Sequence, residues 1–437
     1  MKLSTFNILV LMDINGGISK NMYPPANLPS WSKYVKDVTI GKKNNCVILG
    51  RKTYELLTKA DNTGLANRTV FVVSKTYEQN DHSIVIFKSL GDCLAGISRR
   101  TYKQSFDEIY VLGGVKLFRE CVSKYLYLCK NISAGVIQSQ LDCDEHFPLS
   151  ELKKRGIPEN KDLIAKDFIR VSYCPNKYVI HEEQQVIDLF SEILEGNRRL
   201  INGNDYKYIF NKILNFDLSN GNIPILTTRQ VDYNKIIDTF IDDIQSLEFI
   251  EDGLGFRLRC NNILFEGVGD YTSKVNDLSL QSRDLLNKTI TDIISGSKSI
   301  TIFTGSTKPE CEFNQIPITV KFMVSPNNQT LDCYTIFDDL EVFKSFPYFL
   351  CYLSILSNVI AYLCGLIPRT LSIMISECQL NSDFYEVCRK QSENTPMPFA
   401  QIRLKNLTKI KTLSEFNKSN IDIIGYDAWT GIKVPKQ

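Results

Sequence analysis

Histidine is scarce: His82, His146 and His181 are the only three in 437 residues. That leaves little material for a histidine-based metal site. Cysteine numbers 13, yet the chain lacks any CxxC pair or Cys/His cluster with zinc spacing, so the thiols read as separate core residues of a reducing compartment. Charge of one sign is also missing. Lysine plus arginine is 51 against 49 aspartate plus glutamate, a formal charge of +2, which excludes a general electrostatic attraction to nucleic acid or to an anionic membrane. No uninterrupted apolar run approaches the ~20 residues that a membrane span needs. The nearest stretch, 347–366, is broken by Ser354, Ser357 and Asn358, and is expected to be a buried core helix of a soluble protein. The opening MKLSTFNILVLMD has neither a small-residue cleavage site nor an Arg-rich amphipathic helix. No targeting peptide is expected, which points to the cytoplasm or another reducing intracellular compartment.

What is present has the composition of a folded protein, 43% hydrophobic and 23% charged, long enough for two or three domains. Runs rich in Val and Ile recur through the first third: NILVLM, NCVILG, TVFVVS, SIVIF, EIYVLGG and SAGVIQ. Several are apolar on both faces, as buried parallel strands are. Helix-compatible segments such as Thr53 to Leu57 and Val115 to Ser123 separate them, which predicts an α/β domain with a largely parallel sheet. FIRVSYCPNKYVIHEE reads as a hairpin turning at Pro175 and Asn176. From Glu183 the pattern changes to a helix stopped at Gly196, then to longer helices alternating with strands. The expected division is an α/β domain over 1–182 and an α+β domain over 183–437.

The loop Met12-Asp13-Ile14-Asn15-Gly16-Gly17-Ile18-Ser19-Lys20-Asn21 resembles the M-D-x-N-x-G-I-G-K-N of dihydrofolate reductase. Four further stretches resemble that family in order: Val47-Ile48-Leu49-Gly50-Arg51-Lys52-Thr53-Tyr54-Glu55, Val72-Val73-Ser74-Lys75-Thr76, Tyr110-Val111-Leu112-Gly113-Gly114 and Asp144-Glu145-His146-Phe147-Pro148. The resemblance implies NADPH as cofactor, with Arg51, Lys52 and Thr53 opening a helix toward its phosphates, Ser74 beside them, and Gly113-Gly114 admitting the nucleotide closely. The same residues also suit the turns they occupy, so retention of the turns and retention of the cofactor both remain open.

The substrate side departs from the family. The ungapped register puts Trp31 at the position of the carboxylate that supports pterin protonation, Ala26 at a tryptophan and Val35 at a phenylalanine. Gly135 falls where a threonine partners that carboxylate. An indole accepts no hydrogen bond and holds no negative charge, so it does no acid–base work. Asp37 lies six residues on, on another helix face.

The second half resembles thymidylate synthase, so the whole chain resembles the fused reductase–synthase of many protists. Phe216-Asp217-Leu218 with Pro224-Ile225-Leu226-Thr227-Thr228-Arg229, and Gly425-Tyr426-Asp427 with Ile432-Lys433-Val434-Pro435, carry the likeness. Between Leu331 and Asp383 it runs ungapped through Cys333, Pro347, Ala361, Gly365, Leu366 and Pro368. That family uses a thiolate nucleophile and arginines that clamp a nucleotide phosphate. Carried over residue by residue, its nucleophilic cysteine and the following histidine become Ile316 and Pro317, and its water-organising glutamate becomes Thr239. The clamping arginines become Ile201, Asp338, Lys298 and Ser299, the last two being those lent by the opposite subunit. The aspartate of Q-R-S-x-D becomes Glu341, the asparagine of P-F-N becomes Phe349, and the histidine and tyrosine of D-A-H-x-Y become Gln379 and Asn381. Arg198 and Arg199 lie close to Ile201. Cys311 is the alternative nucleophile, reached only through a five-residue insertion and facing Asp338, whose charge raises a thiol pKa.

Folding landmarks are kept and chemical groups are lost. The expectation is a non-catalytic structural or interaction subunit, with no required cofactor and no metal, pairing as a homodimer or heterodimer through the synthase-like domain or joining a larger assembly. The alternatives are an NADPH-binding regulator of folate and thymidylate metabolism, or an active reductase–synthase with relocated catalytic residues.

Overall fold

The computed structural model describes residues 2–21, 23–40, 44–60, 65, 68–77, 84–98, 106–163, 167–201, 203–245, 248–252, 255–260, 263–268, 285–305, 317–407 and 410–432. Two compact units divide the chain, 1–181 and 182–437.

The first unit is built on an eight-stranded sheet. Five consecutive parallel pairings join Val85–Phe87, Thr69–Val73, Cys46–Gly50, Ile109–Gly113, Phe6–Asp13 and Cys129–Ile137. Phe6–Asp13 is buried along its whole length, which is why its sequence is apolar on both faces. Helices Pro29–Ile40, Arg51–Ala60, Leu90–Ser98 and Val115–Lys124 connect the strands. Two antiparallel strands, Ile169–Tyr173 and Asn160–Leu163, complete the sheet. The expected hairpin over FIRVSYCPNKYVIHEE is half right. Its first arm, Ile169–Tyr173, already pairs with Cys129–Ile137 on one side and Asn160–Leu163 on the other, so both edges are taken. The chain after it makes a 3-10 turn at Pro175–Lys177 instead of a second arm.

The second unit contains a nine-stranded sheet, antiparallel except where Thr330–Glu341 runs parallel to Ile367–Asn381. Helices Gln184–Leu194, Tyr233–Gln245, Ser345–Leu363 and Tyr385–Ser392 all contribute to one apolar core. Ser345–Leu363 is long and apolar enough to cross a membrane, but it forms the middle of that core, with Leu350, Cys351, Ile355, Val359 and Ile360 fully buried. The opposite sheet face is open: Phe210 is 53% and Ile213 56% exposed.

Three neighbouring strands change face together. On Thr330–Glu341 the inward residues are Leu331, Cys333, Thr335 and Phe337, then Leu340, a step of three; on Ile367–Asn381 they are Leu371, Ile373 and Ile375, then Cys378 and Leu380. Their pairing register is the same before and after, Phe337 with Ile375 and Asp339 with Glu377. The adjoining strand Asn204–Asp217 has Asn211 at φ 57° at the same level. This stacked irregularity turns the strand ends so that Asp338, Asp339, Glu377 and Gln379 gather on the open face.

Candidate functional site

In the first unit the chain around Asp13 is braced before any ligand arrives. The Asp13 carboxylate accepts backbone N–H bonds from Asn15 (2.8 Å), Gly17 (2.7 Å) and Leu141 (2.9 Å). Burial opposes its ionisation, but the three amides outweigh it and hold its pKa below the usual carboxylate range. On helix Pro29–Ile40, Trp31 points into the sheet and is 9% exposed. Its ring meets Phe168 edge-on at 5.5 Å and Tyr34 at 5.3 Å. A β-carbon built on Gly135 would fall 2.6 Å from Trp31 Cε3, so the indole is seated in the space that a side chain at 135 would need. Val35 packs partly buried in the same cluster, Ala26 is half-buried, and Asp37 is exposed. The structure therefore brings Trp31 and Gly135 into contact and leaves no carboxylate between them.

The cofactor-side residues form a second group. Gly113 and Gly114 have φ of 152° and 92°; a β-carbon on Gly113 would lie 3.1 Å from Thr53 Cγ2, and one on Gly114 3.5 Å from Gly50 Cα. A side chain at 113 would crowd Thr53 in the first turn of helix Arg51–Ala60, whereas at 114 the space is ordinary and the positive φ is what favours glycine. Arg51 pairs with Glu55 one turn on at 3.7 Å, and Lys52 is exposed. Ser74 Oγ accepts from the backbone N–H groups of Thr76 (3.3 Å) and Tyr77 (3.1 Å), which holds its loop. A helix N-terminus with exposed Lys52, Arg51 and a glycine pair beside it has the residue types that fit a dinucleotide phosphate.

In the second unit, Ile316 and Cys311 lie outside the described residues. Pro317 is buried. Thr239 turns its hydroxyl to the Lys235 carbonyl at 3.0 Å, a bond internal to its helix. Phe349 is a core residue, 2% exposed with its ring 5.0 Å from Phe337. Asn381 Oδ1 accepts from the Asp383 N–H at 3.0 Å as a cap. Gln379 donates to Asp339 (3.2 Å) and Glu377 (2.8 Å). Lys298 and Ser299 are exposed, and Ile201 is half-buried on the hairpin strand Asn197–Ile201.

A cavity of ≈ 320 Å³ opens where the three strands change face, lined by Arg199, Phe210, Asp338, Asp339, Ser376, Glu377 and Gln379. Its guanidinium is already committed: Arg199 makes a two-pronged contact with Glu377 and stacks over Tyr208 at 4.8 Å. Arg198 is held by Asp205 at 2.6 Å. The cavity is acidic, where an anion clamp would have to be basic.

Sequence reasoning placed Arg229 and Glu341 in its aligned segments but gave neither a role, and it passed over the carboxylate of Glu183 altogether. Glu183 is fully buried and takes both backbone N–H groups and both hydroxyls of Thr227 and Thr228. Arg229 lies 4.4 Å over the Phe343 ring and donates to the Phe343 carbonyl; burial lowers its pKa. Glu341 accepts from the Lys344 N–H at 2.6 Å, and burial pushes its pKa up to about 7 against the pull of that amide and of Arg229. Stability from this raised carboxyl is fully present below the ordinary carboxyl pKa of 4.5 and is lost as pH rises through 7. Replacing Glu341 with Gln should remove on the order of 2 kcal/mol from the pH 5 to pH 8 stability difference of this unit, read by thermal melts at both pH values. An unchanged difference would place the Glu341 carboxyl in water. The face change itself had a sequence signal, the three-residue apolar step at Phe337 to Leu340 and Ile375 to Cys378, which strict alternation passes over.

Comparison with known proteins divides the chain in the same order. The dihydrofolate reductase family matches residues 5–173 and the thymidylate synthase family residues 268–436. The chain is similar to bifunctional dihydrofolate reductase-thymidylate synthase 2 of Arabidopsis thaliana, 23% identical over 97% of this chain and 87% of that protein. It is likewise similar to the bifunctional dihydrofolate reductase-thymidylate synthase of Paramecium tetraurelia, 22% identical over 98% of both chains. The dihydrofolate reductase of Haemophilus influenzae is 33% identical over 33% of this chain and 79% of its own length.

Proposed function

The chain belongs to the bifunctional dihydrofolate reductase–thymidylate synthase family, and from that premise we propose that it has kept the scaffold and lost both reactions. It serves as a non-catalytic structural or interaction subunit. The observation that carries this reading is Trp31 seated on Gly135, an indole packed where the family's reductases need a carboxylate and its threonine partner. An indole cannot hold the proton that dihydrofolate reduction requires. Purified protein should show no dihydrofolate-dependent oxidation of NADPH, and Trp31→Asp alone should not restore it, since Ala26, Val35 and Gly135 remain. Turnover by the unmodified protein, free of host reductase, would overturn the proposal.

A second reading is favoured by the glycine cradle. The family's reductases use NADPH, and the residues present here fit its phosphates and nucleotide backbone: Gly113 and Gly114 for close approach, Arg51, Lys52 and Thr53 at the helix start, and Ser74 beside them. When bound, NADPH supplies a hydride; without an acid at position 31 the same binding would serve regulation. Affinity that falls with added salt and with Arg51→Ala or Lys52→Ala would support the regulator. Absence of heat and thermal shift at millimolar NADPH would support the purely structural subunit.

We further propose pairing through the open sheet face of the second unit, with a second copy of this chain, with an active reductase–synthase or within a larger assembly. Phe210 and Ile213, more than half exposed, are the apolar surface that supports it.

A further inference from the structure

The chain-wide charge of +2 is made of two unequal parts. Residues 1–181 carry 26 lysines and arginines against 17 aspartates and glutamates, a formal +9. Residues 182–437 carry 25 against 32, a formal −7. Each surplus has a place on the surface. In the first unit, helices Val115–Lys124 and Leu149–Lys154 are in contact. Lys116, Arg119 and Lys124 are exposed on the first, Lys153 and Lys154 on the second, and Arg155 at its C-terminal end. Arg119 pairs with Glu145 and Lys154 with Glu151, whereas Lys116, Lys153 and Arg155 form no ion pair among the described residues. In the second unit, helices Gln184–Leu194 and Tyr385–Ser392 are likewise in contact. Asp188, Glu192 and Glu195 are exposed at i, i+4 and i+7, one helical face; Asp383, Glu386 and Glu393 are exposed along the other helix. Three cations stand among these acids, and two are taken: Lys212 by Glu192 and Arg389 by Glu386, which leaves Lys390. None of the exposed large hydrophobic residues among the described ones lies on any of the four helices.

We propose that the basic helix pair of one copy docks on the acidic helix pair of a second copy, head to tail. This contact uses neither the open sheet face nor the cofactor cradle, so it goes beyond the pairing reading and does not depend on it. The chemistry of the basic pair selects its partner. Entering a bilayer surface takes an apolar helix face, and gripping a single-stranded nucleic acid takes exposed aromatic rings on which bases stack. The basic pair offers neither. Ammonium and guanidinium groups without apolar neighbours match a cluster of carboxylates, and the chain carries such a cluster on its other unit. The two patches are different surfaces, so the contact is heterologous: every docked copy still presents one unused patch, and the assembly can grow. With no apolar centre to exclude water, the attraction is open to screening. Its range falls from about 30 Å at 10 mM salt to about 8 Å at 150 mM.

The experiment is sedimentation velocity on the full chain over a concentration series, at about 10 mM and about 300 mM salt. At low salt the wild type should gain mass with concentration, and its apparent association constant should fall about tenfold or more at high salt. Two triple variants isolate the patches: Lys153→Gln with Lys154→Gln and Arg155→Gln, and Asp188→Asn with Glu192→Gln and Glu195→Gln. All six side chains are exposed, so circular dichroism melts should match the wild type. Each variant alone should keep its high-salt mass at low salt, because one of its patches is blank. Mixed in equal amounts, the two should associate again, since each supplies the patch that the other lacks. A low-salt mass that does not rise with concentration, variants that associate like the wild type, or a mixture that stays apart would each overturn the proposal. A wild type that forms only a salt-independent dimer, the same in both variants, would overturn it while leaving the open-face pairing standing.

Discussion

Titration of the protein with dUMP at low ionic strength should give no saturable binding below about 100 μM. The synthase family meets the nucleotide phosphate with four arginines, and the sequence reading expects Ile201, Asp338, Lys298 and Ser299 at their positions. Around the cavity three carboxylates, Asp338, Asp339 and Glu377, face a single guanidinium that Glu377 already engages. A carboxylate about 4 Å from phosphate costs on the order of 4 kcal/mol at an effective dielectric of 20. Each lost charge-assisted hydrogen bond removes a further ~1.5–3 kcal/mol. Micromolar affinity amounts to only about 8 kcal/mol, so these losses consume it. Arg198 and Arg199 are the nearest replacements, and each would have to leave a carboxylate, Asp205 or Glu377, to reach an anion. Calorimetry or NMR checks the result. A saturable isotherm below about 100 μM would mean that the phosphate is held by residues other than those aligned, and the inactive-synthase reading would fall with it.

Gly135→Thr should strongly destabilise the first unit, by about 3 kcal/mol or more. Its β-carbon alone would sit 2.6 and 2.8 Å from Trp31 Cε3 and Cζ3. Neither partner has room to yield. Gly135 lies on a strand paired on both sides, opposite Leu11 and Arg170, and Trp31 is wedged between Tyr34 and Phe168. Trp31→Ala, which empties the same space, should by itself cost about 3–5 kcal/mol. The double variant should cost clearly less than the two losses added, because each change makes room for the other. Hydrogen exchange of the Cys129–Ile137 amides under increasing denaturant reads this unit independently of the second, which matters because a two-unit chain does not unfold in one step. A Gly135→Thr protein as stable as wild type would show that the indole can leave, and that the pterin space is open after all.

The first unit was the more legible half. Its buried parallel strands are continuous Val and Ile runs, and the segments expected from NILVLM to SAGVIQ coincide with strands Phe6–Asp13, Cys46–Gly50, Thr69–Val73, Val85–Phe87, Ile109–Gly113 and Cys129–Ile137. A hydrophobic run reports that a strand is buried; it does not report which edges are already paired, and the expected hairpin after Ile169–Tyr173 failed for that reason.

By itself the sequence determined that two domains of known kind stand in tandem; the replacement of the family's acids, thiol and arginines at their positions is what its residue-by-residue reading leads one to expect. Those are statements about residue identity, and position along the chain suffices for them. Only the tertiary structure decided what fills the vacated places. Trp31 meets Gly135 across more than a hundred residues because a helix crosses a strand there. Arg199 is lost to anion binding because Glu377, on a neighbouring part of the sheet, takes it. Asp338 reaches the open face because three strands change face at one level, and that follows from a backbone irregularity propagated through hydrogen-bonded neighbours, where no single strand's sequence carries the whole signal.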